Sequence, residues 1–479
     1  MAKNYFYNLL LTLTNLLFPI LSFPYVSRVL GPEGIGKVQF AFSFAQYFAL
    51  VASIGIPVYG MKEIARHRND IEGRSKVFSE LIIIYLLSTV CLFVIYLSVI
   101  YAFPYFKADR EMYLGASLLV LLGFSYIDWL YTGMEEFKSI ALRSVLFKII
   151  GLALLYIFIK NRNDYHDYLY IMIFSFLGNN ILSFFLINGK VKFIFSGIEL
   201  RRHMVPLFFI LGTSLAASMY TDMDTVLLGF LSNDKIVGLY TAAVKLSKIA
   251  IPLVTSMGVI LVPKIAKDFA EKNLVEVQKT LNQTFRFLVF FAVPITFGLA
   301  LLAPEFIAVF SGKEFLPATN SMRLLSLLPL VIGFGHMFLY LVLIPSGKNR
   351  EMFFCVLGGL AISLLLNVLL IPHFQAVGSS IANMISEIVV TLLYVYFIKK
   401  DYKFTYEWSL LTKAFLSALV FIPIVWLSHY LLLPLAYTLI ISIASCGITY
   451  LGIQWVLFRN HFVVDIFDFV KLKLRTGKK

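Results

Sequence analysis

The sequence predicts an all-α polytopic membrane protein of about 14 transmembrane helices, and three observations carry that expectation. Of the 479 residues, 59% are hydrophobic and 14% are charged, whereas soluble domains carry about 25% charged residues. Apolar runs of about 20 residues, enough to cross a bilayer at roughly 1.5 Å per residue, recur along the whole chain. The runs are continuous and do not alternate with a period of two, which excludes a β-barrel. The expected spans are 5–27, 38–60, 79–103, 112–133, 142–160, 168–188, 204–230, 237–262, 285–304, 321–345, 353–371, 376–397, 413–431 and 434–457.

Only Lys3 precedes the first span. That span is too long for a signal-peptide core and no small-residue cleavage site follows it, so it is expected to stay. Asn8, Thr12, Asn15 and Ser22 recur along it at helical spacing. A polar stripe in hydrocarbon needs partners or water. Two readings follow: hydrogen bonds to neighbouring helices, or one wall of a hydrated transport route. Residues 28–37 form a short connection into the second span.

With the N-terminus placed in the cytoplasm, 30 of the 41 Lys and Arg residues fall on cytoplasmic segments and 9 on outer ones. Lys245 and Lys248 fall within a span. The bias predicts cytoplasmic termini and an even number of spans. It gives the net charge of +14 a role in insertion, so nucleic acid is not an expected partner. The longest cytoplasmic connections, 61–78 and 263–286, mix basic and apolar residues and are expected as amphipathic interfacial helices. The tail, 458–479, carries Lys471, Lys473 and Arg475 and is expected to lie against anionic membrane lipids. Cys91, Cys355 and Cys446 lie in apolar runs and are expected to be buried packing residues.

Span seven starts again at the cytoplasmic face, and spans seven and eight echo the first two. An offset of 202 residues aligns Gly36 with Gly238, Ala41 with Ala243 and Lys62 with Lys264. Six spans separate the copies, so the halves share a topology and are expected to be related by an axis along the membrane normal. The expected organisation is an N-lobe over 1–203, a C-lobe over 204–400, two further spans over 401–457, and the tail. Substrate sites in such folds lie between the halves.

An ionisable residue within a span needs a reason. Span seven carries Asp222 and Asp224 beside Ser214, Ser218, Thr221 and Thr225. Span eight places Thr241, Lys245, Lys248 and Thr255 on one face, and its two ammonium groups, one turn apart, need an anion. One reading is a buried ion-pair network between the two spans. The other is a cationic wall for an anionic substrate, with the aspartates tuning the lysines or carrying protons. Glu387 lies mid-span among Ser379, Ser380, Asn383 and Ser386. It is either a proton site or a protonated acid hydrogen-bonded to a neighbouring helix. Asp128 sits near the cytoplasmic end of span four as a candidate for a charge network or gate. Arg28 either snorkels to outer headgroups or grips a phosphate. Arg143 and Lys148 can satisfy the positive-inside rule alone. His336 reads as a hydrogen-bonded core histidine.

No phosphate-binding loop, metal-ligand spacing or Ser-His-Asp arrangement occurs, so neither catalysis, cofactor nor metal is expected.

Three motifs carry a resemblance. They are Ser27-Arg28-Val29-Leu30-Gly31-Pro32-Glu33-Gly34-Ile35-Gly36, then Asp128-Trp129-Leu130-Tyr131-Thr132-Gly133-Met134-Glu135-Glu136-Phe137, and Asp222-x-Asp224 followed by Leu228-Gly229 and Gly238-Leu239-Tyr240-Thr241-Ala242-Ala243. Together they resemble the Wzx-type polysaccharide biosynthesis flippases of the multidrug/oligosaccharidyl-lipid/polysaccharide exporter superfamily. The resemblance implies two pseudo-symmetric six-helix lobes in a V around a central cavity, with two extra C-terminal helices. It implies transport of undecaprenyl-diphosphate-linked oligosaccharide across the bacterial cytoplasmic membrane by alternating access, driven by an H+ or Na+ gradient. A polysaccharide polymerase and a chain-length regulator are the implied protein partners. Related lipid II flippases carry an Arg where Arg28 stands, which favours Arg28 as a diphosphate contact. Two rival functions are a drug/cation antiporter, whose cavity would be acidic, and a membrane polysaccharide polymerase or ligase, which would need a larger outer loop. A scaffold that transports nothing fits the intramembrane charges poorly.

Overall fold

The computed structural model describes residues 2–431 and 433–459, so the tail lysines and Arg475 lie outside the described residues. Among the described residues every regular element is helical, and 12 helices are long and apolar enough to cross a membrane. Two of these, Leu10–Ala52 and Asn349–Asp401, each cover two of the expected spans. The chain divides into two compact units, the first ending at Gly238 and the second beginning at Leu239.

The first unit opens on α1 (Ala2–Ala52), which breaks at Gly31. The residue before a proline is pushed out of the helical region. Gly31 takes φ 69, which a glycine adopts without strain. Pro32 then restarts the helix where its missing N–H costs nothing. The connection expected over 28–37 is therefore a one-residue kink. After Gly55 come α2 (Ile56–Arg66) and α3 (Ile71–Ala102). Asp70 caps α3, accepting the backbone N–H of Glu72 and Gly73 at 3.1 Å each. This cap corrects the expectation of one interfacial helix over 61–78, because it starts α3 inside that segment.

The chain continues through α4 (Arg110–Leu121), α5 (Asp128–Gly133), α6 (Phe137–Phe158), α7 (Tyr165–Phe185), α8 (Arg201–Asp222) and α9 (Asp224–Leu231). Ile64, Phe78, Leu81, Leu130 and Leu207 form a core that joins α2, α3, α5 and α8. The opposite face of α3 exposes Leu86, Leu87, Val90, Val94 and Ile95, a surface suited to lipid and costly in water. Cys91 lies on that exposed side, against expectation, whereas Cys355 and Cys446 are buried.

From the boundary between the units run α10 (Asp234–Lys248), α11 (Ile251–Ala270) and α12 (Leu274–Leu301). Asn273 caps α12 through the N–H of Glu276 at 3.3 Å. Residues 263–286 are thus the end of one helix and the start of the next, again not a separate interfacial helix. Next come α13 (Ala303–Phe310), α14 (Thr319–Leu325), α15 (Leu328–Phe338) and α16 (Asn349–Asp401). α16 breaks at Gln375 (φ 50), three residues after Pro372. Ser379 beyond the break donates to Asn367 before it at 2.8 Å. The last helices, α17 (Trp408–Leu419), α18 (Phe421–Tyr430) and α19 (Leu435–Val456), are fastened to α12 and α13. Tyr450 donates to the Phe290 carbonyl at 3.1 Å, and His429 meets Glu305 at 2.8 Å.

Candidate functional site

Four of the charges expected within spans sit at helix breaks. Asp222 ends α8 and Asp224 begins α9, with Met223 between them. A helix start favours negative charge, which suits Asp224 although its side chain is buried. Asp222 is exposed and accepts from Thr221 Oγ1 at 2.9 Å. Tyr47 of α1 donates to the Ser218 carbonyl at 3.1 Å and lies within electrostatic reach of both aspartates. Asp222, Asp224 and Ser218 are thereby brought together, with a tyrosine that the sequence reading missed.

Lys245 and Lys248 occupy the last turn of α10, both half-buried. The helix ends there for a local reason. Pro252 has no N–H to give the Lys248 carbonyl, and its ring would crowd that oxygen, so the chain turns at Ile249 and Ala250 before α11. A helix C-terminus carries unsatisfied carbonyls and a partial negative charge, which favours two nearby ammonium groups. Thr241 is buried one turn earlier.

The polar stripe of α1 is engaged in part. Asn15 Oδ1 accepts from Lys148 Nζ of α6, a pairing that the sequence reading assigned to neither residue. Thr12 is exposed. The Asn8 side chain lies outside the described residues. Arg28 is exposed, and its guanidinium donates to the Pro24 carbonyl at 3.0 Å.

Asp128 stands at the first turn of α5 and accepts from Arg143 at 3.0 Å. The Arg143 guanidinium also stacks 4.3 Å from the centre of the Tyr131 ring, and Tyr131 donates to the Ser183 carbonyl at 2.7 Å. Lys190 pairs with Glu136 beside the same ring. Arg143 therefore serves a buried ion pair, beyond the part in the orientation bias expected of it. Glu387 is half-buried on α16, within electrostatic reach of Tyr394. One turn on, Thr391 reaches the Val331 carbonyl of α15 at 3.4 Å.

A second feature escaped the sequence reading although its residues were aligned there. The first turns after two helix breaks cross in backbone contact. A Cβ on Gly36 would lie 1.7 Å from the Asp234 carbonyl oxygen, and a Cβ on Gly238 would lie 1.8 Å from the Pro32 carbonyl oxygen. Residues 32 and 234 are themselves 202 apart, so the contact is reciprocal under the repeat offset. Lys37 beside it pairs with Asp109 at 3.0 Å.

Residues 1–269 match the model of a family described as polysaccharide biosynthesis protein. Residues 190–445 match the model of the lipid II flippase MurJ. The chain is 26% identical to a putative O-antigen transporter of Shigella dysenteriae over 409 residues, covering 82% of this chain and 98% of that one. It is 22% identical to a putative O-antigen transporter of Escherichia coli (strain K12), covering 84% and 97%. A solved lipid II flippase MurJ in an inward closed conformation shares the fold, with a TM-score of 0.73 at 17% identity over 96% of this chain and 100% of that one.

Proposed function

Because the chain belongs to the polysaccharide biosynthesis protein family, we propose that it is a flippase for undecaprenyl-diphosphate-linked oligosaccharides in the bacterial cytoplasmic membrane, with both termini cytoplasmic. The observation that carries this reading is the pair Lys245 and Lys248 at a helix end within a membrane-spanning stretch. The cargo joins a doubly anionic head to sugars and a long apolar tail. Bare phosphate in hydrocarbon is prohibitive, so the head needs cations along its route. Lys245, Lys248 and Arg28 are assigned that task. Asn8, Thr12, Asn15, Ser218 and Thr241 line the hydrated path. Asp222, Asp224 and Glu387 are the candidates for coupling to H+ or Na+, while Asp128 belongs to a charge network with Arg143.

Counting α1 and α16 as two passages each, about their breaks, turns the twelve apolar helices into fourteen passages. That number supports two six-helix lobes, 1–203 and 204–400, with a further pair. The lobes would rock about the cargo by alternating access.

The test is reconstitution. In liposomes holding the purified protein, a labelled lipid-linked oligosaccharide in one leaflet is expected to become accessible to a membrane-impermeant lectin at the other. A rate equal to that of protein-free liposomes, or transport of a cationic dye in place of the glycolipid, overturns the reading.

A further inference from the structure

We propose that Tyr59, Glu80 and His203 form a proton-responsive joint that fastens the segment leading into α8 onto α3, and that this joint regulates flipping. The transport part of the proposal rests on the function proposed above. The joint itself does not.

Residues 187–200 have no regular helix and run along α3, held by side chains of that helix. Arg74 donates to the Lys190 carbonyl at 3.0 and 2.6 Å. Ser75 accepts the Lys192 N–H at 2.9 Å, and Ser79 accepts the Ile194 N–H at 2.8 Å. Glu80 accepts the Glu199 N–H at 2.9 Å. The alternate donors of Lys192 and Ile194, and that of Glu199 further on, thus find acceptors on α3 side chains.

Glu80 and His203 are both fully buried. The second carboxylate oxygen of Glu80 meets the Arg202 guanidinium and, at 2.9 Å, His203 Nε2. His203 Nδ1 meets the Tyr59 hydroxyl at 2.9 Å. Arg202 Nε lies 3.3 Å from Nε2, but the shorter carboxylate contact assigns the ring hydrogen to Nε2. Nδ1 then accepts the Tyr59 hydroxyl proton, and Glu80 and Arg202 balance in charge.

The second repeat makes the same joint without buried ionisable groups. The offset of 202 takes Glu80 to Asn282, His203 to Thr405 and α3 to α12. There, residues 402–407 lie on α12. Gln278 accepts the Thr405 N–H at 3.0 Å and donates to the Thr405 carbonyl at 2.6 Å and to Asn282 at 2.9 Å. The ion pair at that joint, Arg286 with Glu407, is exposed. Neutral amides suffice to hold such a segment, so the ionisable groups of the first joint add a property that amides lack.

That property is sensitivity to protons. A proton bound at His203 Nδ1 leaves two cations facing one carboxylate and forces the Tyr59 oxygen from donor to acceptor. A proton bound by Glu80 removes the charge to which three donors point. Either event weakens the hold. The other charged groups facing the joint are Glu63 and Arg66 on α2, Arg74 and Lys76 on α3, Glu199 (3.9 Å from Lys76), and Arg201 on α8. They are four cations and two anions, so the surround is net positive and opposes the extra charge of a proton bound at His203.

Backbone amide exchange on the full chain in nanodiscs tests the joint. Protection of Lys192, Ile194 and Glu199, corrected for intrinsic rates, is expected to fall about tenfold between about pH 7.5 and about pH 5.5. Glu80→Gln and His203→Gln are expected to remove that pH dependence, whatever their absolute protection. Ser75→Ala should lower protection equally at both pH values. Protection near Thr405 reports whether each variant is folded. No pH dependence in the wild-type chain overturns the proposal, as does an unchanged dependence in both folded variants. In liposomes, flipping should follow the pH on the face carrying the joint in the wild type and not in the variants. A wild type that does not flip at all counts against the proposed function and leaves the exchange result standing.

Discussion

Gly36→Ala and Gly238→Ala are each expected to abolish flipping and to lower the thermal midpoint of the protein. In each case the added methyl would sit under 2 Å from a carbonyl oxygen of the crossing chain. A clash with a flexible side chain can be relieved by a rotamer change. Here the obstacle is backbone on the first turn of a helix, so the two helices must separate. Overpacking costs about 1–3 kcal/mol where a core can adjust, and a rigid backbone contact belongs at or beyond the upper end. The control is Gly212→Ala in α8, where a Cβ meets nothing within 4 Å. That change is expected to leave stability level or to raise it by about 0.5–1 kcal/mol, because alanine is the better helix former. The check is thermal unfolding in nanodiscs alongside the liposome assay. Wild-type behaviour in both crossing variants would show that the crossing can yield.

The second large effect is expected at the end of α10. Lys245→Ala combined with Lys248→Ala should preserve expression and insertion yet lower the flipping rate by at least a hundredfold. A hydrogen bond to a charged partner contributes about 1.5–3 kcal/mol, and each 1.4 kcal/mol is about a factor of ten, so two lost phosphate contacts suffice. Lys→Arg at either site keeps the positive charge and should retain part of the rate. Normal flipping by the double variant would remove these lysines from the mechanism.

Much of this was legible in the sequence because span length and helix breaks are local properties. Pro32, Pro252 and Pro372 announce interruptions, and apolar length announces crossings. The expectation that Asp222, Asp224, Lys245 and Lys248 fall within spans follows from counting alone, and Asp224 lies just beyond the apolar helix Arg201–Asp222. What the sequence hid are pairings between distant residues. Asn15 with Lys148, and Glu80 with His203, join positions more than 100 residues apart, and no periodicity encodes such a partner. Glu80 and His203 also sit at the edges of expected spans, where an ionisable residue passes as a boundary marker. For Asp128 the sequence leaves a charge network and a gate both open, and only the fold supplies Arg143 as its partner. Gly36 and Gly238 were aligned as repeat equivalents, yet alignment does not reveal that equivalents touch.

The break between α10 and α11 has an electrical consequence under the proposed function. A half-helix that ends in two ammonium groups is a movable charge in the transmembrane field, where one full elementary charge is worth about 2.3 kcal/mol per 100 mV. A diphosphate seated on both lysines cancels them, so the loaded stroke is nearly blind to voltage. Without the diphosphate, the return carries two more positive charges than the loaded stroke, and the negative interior favours it by that difference. Membrane potential would then hasten resetting and leave delivery alone. In liposomes, an interior-negative potassium diffusion potential should speed multiple turnovers without changing the first one.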